Sequence, residues 1–276
     1  MSTTSYAFGE DHEAHKQLSL RLLTKDANFI LPYLKPDSYI LDVGCGPGSI
    51  TCGLAAQCPQ GHVIGTDSSP SVLEKAREDA KHINNVDFRH GNIMDGLSDF
   101  ADGSFDIVFC HQVLVHVSDP VASLNEMRRL AKPDGGLIAI RESLTTLWHP
   151  SNPVLEGSMG WMHRAFRAAS RADNSELGLE TGTNLPHIWA REAGFTGEST
   201  VLGSVSGEAV SDKESREQRV LGWRYLSAEG SSFRDHLIRA GATQKDMDEI
   251  TGALEEWKDS PDGWQLWLSS EMIWRK

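Results

Sequence analysis

A glycine-rich segment, Asp42–Gly48 (DVGCGPG), is the part of the sequence best suited to hold a ligand. It follows an apolar run, Tyr39–Val43, and precedes a segment with helical spacing. Glycines allow positive φ angles and let backbone N–H groups approach a ligand closely. The N-terminus of the next helix favours polar or negative ligand groups. The segment therefore predicts a ligand-binding turn between a strand and a helix, built on Gly44, Gly46 and Gly48.

Polar side chains follow the next two predicted strands. Asp67 stands at the end of the second strand, where a carboxylate can accept both hydroxyl groups of a ribose and can also cap the following helix. Asn92 follows the third strand, and its amide can hydrogen-bond the exocyclic amine of an adenine. The side chain and backbone N–H of Ile93 can meet the same ring. Together these residues predict a nucleoside-binding site.

Two classes of nucleoside cofactor use a glycine turn of this kind. Enzymes that bind a dinucleotide have the pattern G-x-G-x-x-G, in which the third glycine lets the helix pack closely beside the pyrophosphate. Here the glycines follow the pattern G-x-G-x-G, and position 49 is Ser. A dinucleotide oxidoreductase therefore fits less well and leaves the segment Gly91–Asp95 without a role, but it stays open as an alternative.

Short apolar segments alternate with helical segments in the first half of the chain. Strands are predicted at 39–43, 62–66, 86–89, 105–109 and 136–140, and helices at 11–34, 49–58, 69–83 and 121–130. This alternation predicts a parallel sheet with helices on both faces and right-handed crossovers.

The second half is predicted to be mainly helical. Helices are expected at 154–172, 185–193, 212–226, 231–240 and 244–257, and strands at 195–202 and 264–274. No Ser/Gly-rich linker separates the two halves, so the sequence favours one fold with helical insertions over two independent domains.

The composition limits the classes of function. The chain has 276 residues and a formal net charge of −13, which argues against a surface that holds nucleic-acid phosphates or anionic lipid. Its longest apolar runs are far shorter than the roughly 20 residues that span a bilayer. The four cysteines lack C-x-x-C spacing, and the 11 histidines lack metal-ligand spacing. We therefore expect reduced thiols, no bound metal and a cytoplasmic location.

Five segments resemble, in order and spacing, those of the class I S-adenosylmethionine-dependent methyltransferases. Within that class the resemblance is to the ubiquinone/menaquinone-biosynthesis-like group, which includes small-molecule enzymes of secondary metabolism. The segments are YILDVGCGPGS (39–49), VIGTDSS (63–69), FRHGNIMD (88–95), SFDIVFCHQVLVHVSDP (104–120) and RLAKPDGGLIAIRE (129–142). The core of the resemblance covers about residues 38–145, and the segments 12–36 and 261–276 also resemble one microbial and fungal branch of the group.

The resemblance implies a three-layer Rossmann-like α/β fold. Its seven-stranded sheet would be mostly parallel with an antiparallel last strand, and helical insertions would form a lid over the carboxyl ends of the strands. A single methyltransferase domain would then comprise an amino-terminal helical cap (1–36), a cofactor-binding core (37–145), lid and substrate insertions (146–184 and 206–260) and the last two strands (195–203 and 264–274).

The resemblance also implies S-adenosylmethionine as the cofactor and S-adenosylhomocysteine as the product. The methionine part would contact Gly44, Cys45, Gly46 and Gly48, with its ammonium group on Asp42 and its carboxylate on Arg21. The ribose would contact Asp67 and Ser68, and the adenine would contact Asn92 and Ile93. His111 and Gln112 would be further cofactor contacts. Arg21 could equally be a solvated charge on its helix.

Catalytic and substrate-binding candidates follow the fourth and fifth strands. The resemblance places His111 beside the transferring methyl group, where a neutral imidazole could accept a proton from the substrate. A hydrogen bond from His111 to the backbone or the cofactor is an equal alternative. Glu142, at the end of the fifth strand, would orient the substrate or the base. Further candidate substrate contacts are His116, which could instead only pack, and Tyr6, Trp148 and His149.

The predicted function is methyl transfer to a small-molecule metabolite by in-line displacement. No nucleic acid or membrane is expected as a partner, and a homodimer is left open. The fourth strand ends in FCHQ (109–112) rather than the Asp/Asn-Pro-Pro-aromatic sequence that grips a flipped base. Besides the NAD-binding oxidoreductase, one other alternative stays open, namely a protein of this fold that uses the bound cofactor for pericyclic or dehydration chemistry.

Overall fold

The computed structural model describes residue 19, residues 21–170 and residues 186–276. The strands in these ranges are β1 Tyr39–Val43, β2 His62–Asp67, β3 Val86–His90, β4 Ile107–His111, β5 Leu137–His149, β6 Thr200–Val210 and β7 Trp264–Arg275. They form a seven-stranded sheet in the order β3-β2-β1-β4-β5-β7-β6. β7 is antiparallel to both of its neighbours, and the other pairs are parallel. The predicted Rossmann-like sheet with an antiparallel last strand is confirmed.

Helices connect the strands and cover the sheet. The α-helices are α1 Leu23–Asp26, α2 Ser49–Gln57, α3 Pro70–Asp79, α4 Pro120–Leu130, α5 Pro153–Ser170, α6 Pro186–Glu192, α7 Lys213–Ser227, α8 Ser232–Arg239 and α9 Gln244–Asp259. Shorter 3₁₀ helices lie at Asn28–Tyr33, Ile93–Asp95 and Leu114–His116. Among the helices in the described ranges, none has the length and apolar character needed to cross a membrane.

Strand β1 shows why the sheet carries helices on both faces. Ile40 and Leu41 are both fully buried, although successive side chains of a strand point to opposite faces. Ile40 belongs to a core cluster with residues of α1 and α2, whereas Leu41 belongs to a cluster with residues of α4 and α6. A continuous apolar run of this kind is typical of a parallel strand, and burial on both sides fixes the position of the carboxyl end of the strand.

Helices α5, α7, α8 and α9 pack into a second core of their own, which we call the lid. Leu155, Trp223, Phe233 and Leu254 are buried members of this core, one from each helix. Val115, from the 3₁₀ helix that follows β4, is buried in the same cluster. The lid is therefore attached directly to the loop at the carboxyl end of β4.

Strand β5 is longer than the sequence predicts. The prediction ends this strand at residue 140, but its pairing with β7 continues to His149. The extension is hard to predict because it begins with polar residues, which interrupt the apolar pattern of the strand. Arg141 is nevertheless buried, opposite Glu271, with its Nε 3.5 Å from Glu271 Oε1. Residues 146–149 consequently belong to the sheet rather than to the lid insertion predicted at 146–184.

Strand β6 begins at Thr200, so the strand predicted at 195–202 is misplaced. Gly194, with φ +82°, ends α6, and the backbone N–H of Phe195 donates to Ala190 O at this helix end. The Phe195 ring packs on Trp274, with ring centroids 4.9 Å apart, instead of joining the sheet. Because β6 runs to residue 210, the insertion predicted at 206–260 begins later than expected.

The single helix predicted at 11–34 is interrupted in its described part. Residues 21 and 22 are not helical, α1 has only four residues, and the 3₁₀ helix that follows contains Pro32. Asp26 Oδ2 accepts the backbone N–H of Leu22 at 2.7 Å, which closes the short α1 turn. Residues 1–18 and residue 20, and with them the candidate Tyr6, lie outside the described ranges.

Candidate active site

A cavity opens at the carboxyl ends of β1, β2 and β4. It brings together most of the predicted site residues, namely Arg21, Asp42, Gly44, Cys45, Gly46, Asp67, Ser68, Asn92, Ile93, His111, Gln112 and His116. The lining does not include the other described candidates, Gly48, Glu142, Trp148 and His149. The loops after the parallel strands thus meet where open α/β sheets bind ligands.

The turn after β1 follows a left-handed path. Gly44, Gly46 and Gly48 have φ angles of +68°, +54° and +81°, which L side chains rarely adopt. A Cβ on Gly48 would stand 2.6 Å from the Phe88 ring, whereas a Cβ on Gly46 would meet no protein atom within 4 Å. Gly48 is therefore required for packing against β3, and Gly46 leaves open space on the cavity side of the turn.

Asp67 joins the glycine turn to the start of α3. Its Oδ2 accepts the backbone N–H of Gly46 at 2.9 Å, and its Oδ1 accepts the backbone N–H of Ser69 at 2.9 Å. Each carboxylate oxygen has a second lone pair that can face a ligand. Asp67 thus connects the glycine turn to Ser69, the residue before α3, and both the helix cap and the ribose contact stay predictions.

Asn92 has a similar local role in the loop after β3. Its Oδ1 accepts the backbone N–H of Met94 at 3.0 Å and so begins the 3₁₀ helix at Ile93–Asp95. Ile93 is buried at the same edge of the cavity. This hydrogen bond fixes both residues relative to the glycine turn, and their contacts with an adenine stay predictions.

Asp42 lies beneath the glycine turn and is 2% exposed. Thr51 Oγ1 donates to Asp42 Oδ2 at 2.7 Å. Burial raises the pKa of the Asp42 carboxyl to about 7, with a smaller raising effect from the charge of Asp67 and a lowering effect from the Thr51 hydrogen bond. A cationic ligand group beside this carboxyl would favour its ionised form.

His111 is enclosed by two arginines at the end of β4. Arg141 Nη1 lies 2.9 Å from His111 Nε2, and Arg21 Nη1 lies 3.5 Å from His111 Nδ1. Because a guanidinium only donates, the short contact assigns the lone pair to Nε2 and the proton to Nδ1. Burial, Arg21 and Arg141 together lower the pKa of the imidazole well below its ordinary value.

This arrangement weighs against His111 as the general base. The nitrogen that could accept a proton already accepts a hydrogen bond from Arg141, and that arginine is in turn 3.5 Å from Glu271. His111 is better placed to accept a hydrogen bond from Arg141 than to take a proton from a substrate. The alternative, a hydrogen bond from His111 to the backbone or the cofactor, stays a prediction.

Gln112 has an unusual backbone conformation for its type, with φ +59°. Its Oε1 accepts the hydroxyl of Ser143 at 2.6 Å, and Ser143 Oγ in turn accepts Trp267 Nε1–H at 3.2 Å. An indole N–H only donates, which fits a Ser143 hydroxyl that points at the Gln112 oxygen. Ser143 and Trp267 thereby orient the Gln112 amide at the cavity wall.

The family of the chain follows from comparison with known proteins. A sequence profile described as a methyltransferase domain matches residues 34–194, more than half of the chain. The chain belongs to this methyltransferase domain family. The predicted class I S-adenosylmethionine-dependent methyltransferase is thereby confirmed, with S-adenosylmethionine as its cofactor.

Two fungal proteins match the methyltransferase along nearly its whole length. The protein ltbC of Aspergillus luteorubrus, described as a probable methyltransferase, is 31% identical over 98% of this chain and 97% of its own. An uncharacterized methyltransferase of Schizosaccharomyces pombe is 30% identical over 98% and 96%. Similarity to ubiquinone/menaquinone-type enzymes covers a smaller part, since a demethylmenaquinone methyltransferase of Staphylococcus haemolyticus matches 42% of this chain.

A solved structure with the same fold is phosphoethanolamine N-methyltransferase 2 of Haemonchus contortus in complex with S-adenosyl-L-methionine. It is 17% identical, has a TM-score of 0.51, and aligns with 92% of this chain and 53% of its own. At this level of identity the likeness concerns the fold of the methyltransferase and not its substrate.

One part of the cavity of the methyltransferase lies under the lid. We call it the lid half, and its side chains are those of Val115, His116, Met159, Met162, His163, Phe166 and Trp267. Of these residues His116 is a candidate predicted from the sequence, and the four residues on α5 are not. Their positions, 159, 162, 163 and 166, have the spacing of one helix face. A histidine among the apolar residues of that face was the sequence signal that could have indicated a cavity lining.

Two predicted substrate contacts lie away from the cavity lining. The Trp148 ring packs edge-on against Trp257 of α9, with centroids 4.9 Å apart, and its Nε1 donates to Thr146 at 3.0 Å. His149 is exposed at the end of β5. Since β5 continues to His149, both residues belong to the sheet, and Trp148 packs against the lid core.

Glu142 supports the loop after β4 from below. It is fully buried, and its Oε1 accepts the backbone N–H groups of Val113 and Leu114, each at 2.8 Å. Its Oε2 is buried without a hydrogen-bond partner, and burial raises the pKa of the carboxyl to about 7. Glu142 therefore positions the loop that carries His116, and the predicted orientation of a substrate or base by Glu142 would be indirect.

Glu142→Gln is expected to stabilise the methyltransferase at high pH. The pKa of Glu142 is higher in the folded chain than its ordinary value, so its contribution to stability is complete at low pH and is lost as the pH rises through about 7. Gln keeps the accepting oxygen and cannot ionise. In chemical denaturation, the stability advantage of the variant should grow between about pH 5 and about pH 8, to about 2–3 kcal/mol.

Glu142→Ala is the matched control for this measurement. It removes the acceptor of both backbone N–H groups, so it should lower the free energy of unfolding at every pH, by about 2–4 kcal/mol. A Glu142→Gln protein that is destabilised as much as Glu142→Ala, or that shows no gain with pH, would contradict the raised pKa of the Glu142 carboxyl.

Proposed function

We propose that this methyltransferase transfers the methyl group of S-adenosylmethionine to a small molecule that binds under the lid. The observation that carries the proposal is that one cavity is lined both by the glycine turn with Asp67 and by the lid half on α5. A cofactor and an acceptor in these two parts would face each other, and the lid would exclude water from the site. The cofactor, when bound, supplies an activated methyl group on its sulfonium.

The cofactor would lie on the first three loops of the sheet. In this proposal Gly44, Gly46 and Asp67 hold the methionine and ribose parts, and Asp42 holds the ammonium directly or through water. The open space at Gly46 and the buried carboxyl of Asp42, which a neighbouring ammonium would favour in its ionised form, fit such a ligand. The Haemonchus contortus enzyme, which has the same fold, is a complex with S-adenosyl-L-methionine and supports this choice of cofactor.

The proposal predicts a pH dependence of cofactor binding. Asp42 must be ionised to hold an ammonium, and its pKa in the ligand-free protein is about 7. Affinity for S-adenosylhomocysteine should therefore fall as the pH drops below 7, by up to about tenfold per pH unit, and should be flat above it. Calorimetric titration with 5′-methylthioadenosine, which lacks the ammonium, should show no such fall, and Asp42→Asn should remove it. Equal pH profiles for the two ligands would contradict the role of Asp42.

Methyl transfer itself is tested with radiolabelled cofactor. The protein is incubated with methyl-labelled S-adenosylmethionine and a cell extract that ultrafiltration has divided into small-molecule and macromolecular fractions. We expect label in a compound of the small-molecule fraction. Label only in protein or nucleic acid would contradict a small-molecule acceptor, conversion of a compound without label would favour non-methylating chemistry, and binding of NAD without S-adenosylhomocysteine would favour an oxidoreductase.

A further inference from the structure

Gln112, at the cavity wall, is held by three consecutive residues of β5. Its backbone N–H donates to Arg141 O at 2.8 Å. Glu142 Oε1 accepts the next two backbone N–H groups of the loop, each at 2.8 Å. The Ser143 hydroxyl donates to Gln112 Oε1 at 2.6 Å. Strand β5 therefore fixes both the backbone and the side chain of Gln112.

The backbone of Gln112 has a conformation that side chains rarely adopt. Its φ is +59°, and in the described part of the chain no other non-glycine residue has a positive φ. Strained residues of this kind persist where the surrounding structure holds them, and they cluster at binding and catalytic sites. The hydrogen bonds from β5 hold Gln112 in this way, and the residue lines the cavity.

Trp267 determines which end of the Gln112 amide faces β5. Its indole N–H, which can only donate, is 3.2 Å from Ser143 Oγ, so the Ser143 hydrogen is directed to the Gln112 oxygen. The guanidinium of Arg219 lies over the Trp267 ring, 4.9 Å from its centroid, and steadies the indole. With the amide oxygen held at β5, the two N–H donors of Gln112 are left for another partner.

Gln112 stands between the two parts of the cavity. The next residue, Val113, packs on the glycine turn, since a Cβ on Gly44 would stand 2.5 Å from Val113 Cγ2. Trp267, on the other side, belongs to the lid half. A ligand group that meets Gln112 would therefore lie where the proposed cofactor and acceptor sites adjoin. An amide N–H donates to an oxygen and cannot take up a proton, so this group can orient an acceptor but cannot deprotonate it.

We propose that the Gln112 amide donates a hydrogen bond to an oxygen atom of the acceptor, and that Ser143 and Trp267 are positioning residues for this amide. The inference rests on the proposed function and deepens it, because it assigns to the acceptor a carbonyl, hydroxyl or ether oxygen near the atom that receives the methyl group. Fixing this oxygen gives the acceptor one orientation toward the methyl group, as an in-line displacement requires.

A matched pair of probes tests the hydrogen bond on the whole chain saturated with S-adenosylhomocysteine. The probes are 1-indanone and indane, which share a carbon skeleton, and calorimetry or a competition assay gives their affinities. The carbonyl oxygen of 1-indanone only accepts hydrogen bonds. We expect the wild-type protein to bind 1-indanone about fivefold more tightly than indane, the gain from one hydrogen bond.

Substitutions at Gln112 assign this affinity ratio to its amide. Gln112→Met keeps the length of the side chain without the N–H groups, so the ratio should fall to about one. Gln112→Glu keeps an oxygen for Ser143 and replaces the NH₂ group by a second oxygen, so the ratio should fall below one. Gln218→Met is the control, because Gln218 is exposed on α7, and it should keep the wild-type ratio.

Two further substitutions test the positioning residues. Ser143→Ala and Trp267→Phe remove the hydroxyl and the indole N–H, and each should lower the ratio by about twofold because the amide is freed to turn. Ser143→Thr keeps the hydroxyl and should keep the ratio. Since Ser143 is 4% exposed, a role in packing alone predicts the opposite order, with Thr more harmful than Ala.

Four results would overturn the proposal. They are a wild-type ratio of one, no binding of 1-indanone at millimolar concentration, an unchanged ratio in Gln112→Met, and a Gln112→Met protein that loses more affinity for S-adenosylhomocysteine than it loses in the ratio. The last result would assign the amide to the cofactor. All four can occur while S-adenosylhomocysteine binds the wild-type protein, and then only the acceptor contact fails. If S-adenosylhomocysteine does not bind the wild-type protein, the proposed function fails first.

Discussion

Asp67→Asn is expected to weaken binding of S-adenosylhomocysteine by about 100-fold. Both carboxylate oxygens of Asp67 accept backbone N–H groups, from Gly46 and from Ser69. Asn has one accepting oxygen, so whichever way its amide is turned, an NH₂ group faces one of these N–H donors. The substitution would thus displace the glycine turn or the start of α3 and remove the charge proposed to face the ribose.

Two measurements separate these contributions. Asp95→Asn makes the same change of charge at an exposed position in the loop after β3 and should alter affinity by no more than about twofold. If Asp67 contacts the ribose, the wild-type protein should bind 5′-methylthioadenosine more tightly than its 2′-deoxy analogue, and Asp67→Asn should not distinguish the two. Wild-type affinity in Asp67→Asn would show that neither the hydrogen bonds to Gly46 and Ser69 nor the ribose contact matters for binding.

Alanine substitutions in the glycine turn are expected to have two different effects. At Gly48 the new Cβ would stand 2.6 Å from the Phe88 ring at a φ of +81°, so Gly48→Ala should lower the free energy of unfolding by about 2–5 kcal/mol. At Gly46 the Cβ meets no protein atom, so the cost should be only the backbone strain, about 1–2 kcal/mol. Gly46→Ala should instead reduce affinity for S-adenosylhomocysteine at least about tenfold, because the Cβ enters ligand space.

Thermal unfolding and calorimetry on the same preparations check both effects. Gly222→Ala serves as the control, since Gly222 is exposed within α7 and a Cβ there has no neighbour within 4 Å. It should leave binding unchanged and stabilise the protein slightly, by about 0.5–1 kcal/mol. Normal cofactor binding by Gly46→Ala would indicate that the turn serves the fold alone.

The sequence predicted which residues gather at the glycine turn better than it predicted the lid half. Asp42, Gly46 and Asp67 follow short apolar strands, and the ends of neighbouring parallel strands meet at one edge of a sheet, so their proximity could be inferred. The partners of these residues could be inferred less well. The hydrogen bond between Asp67 and Gly46, for example, depends on the distance between the loops after β1 and β2, and the spacing of residues in the sequence does not give that distance.

The lid half could not be predicted because its residues come from separate elements. Trp267 lies on β7 and His163 on α5, and only the long antiparallel pairing of β5 with β7 brings them to the same cavity. The length of β5 was also hard to predict, because the buried polar residues Arg141 and Glu142 interrupt its apolar pattern. Each is compensated in three dimensions, Arg141 by Glu271 and Glu142 by two backbone N–H groups.

The attachment of the lid has a consequence for how acceptor scope could change. Helices α5, α7, α8 and α9 are inserted around β5, β6 and β7, whereas the glycine turn, Asp67 and Asn92 follow β1, β2 and β3. Substitutions in the inserted helices can therefore reshape the proposed acceptor pocket while the loops proposed to hold the nucleoside stay intact. This separation makes the chain a suitable scaffold for exchanging whole helices between related enzymes in order to redirect a methyl group to new compounds.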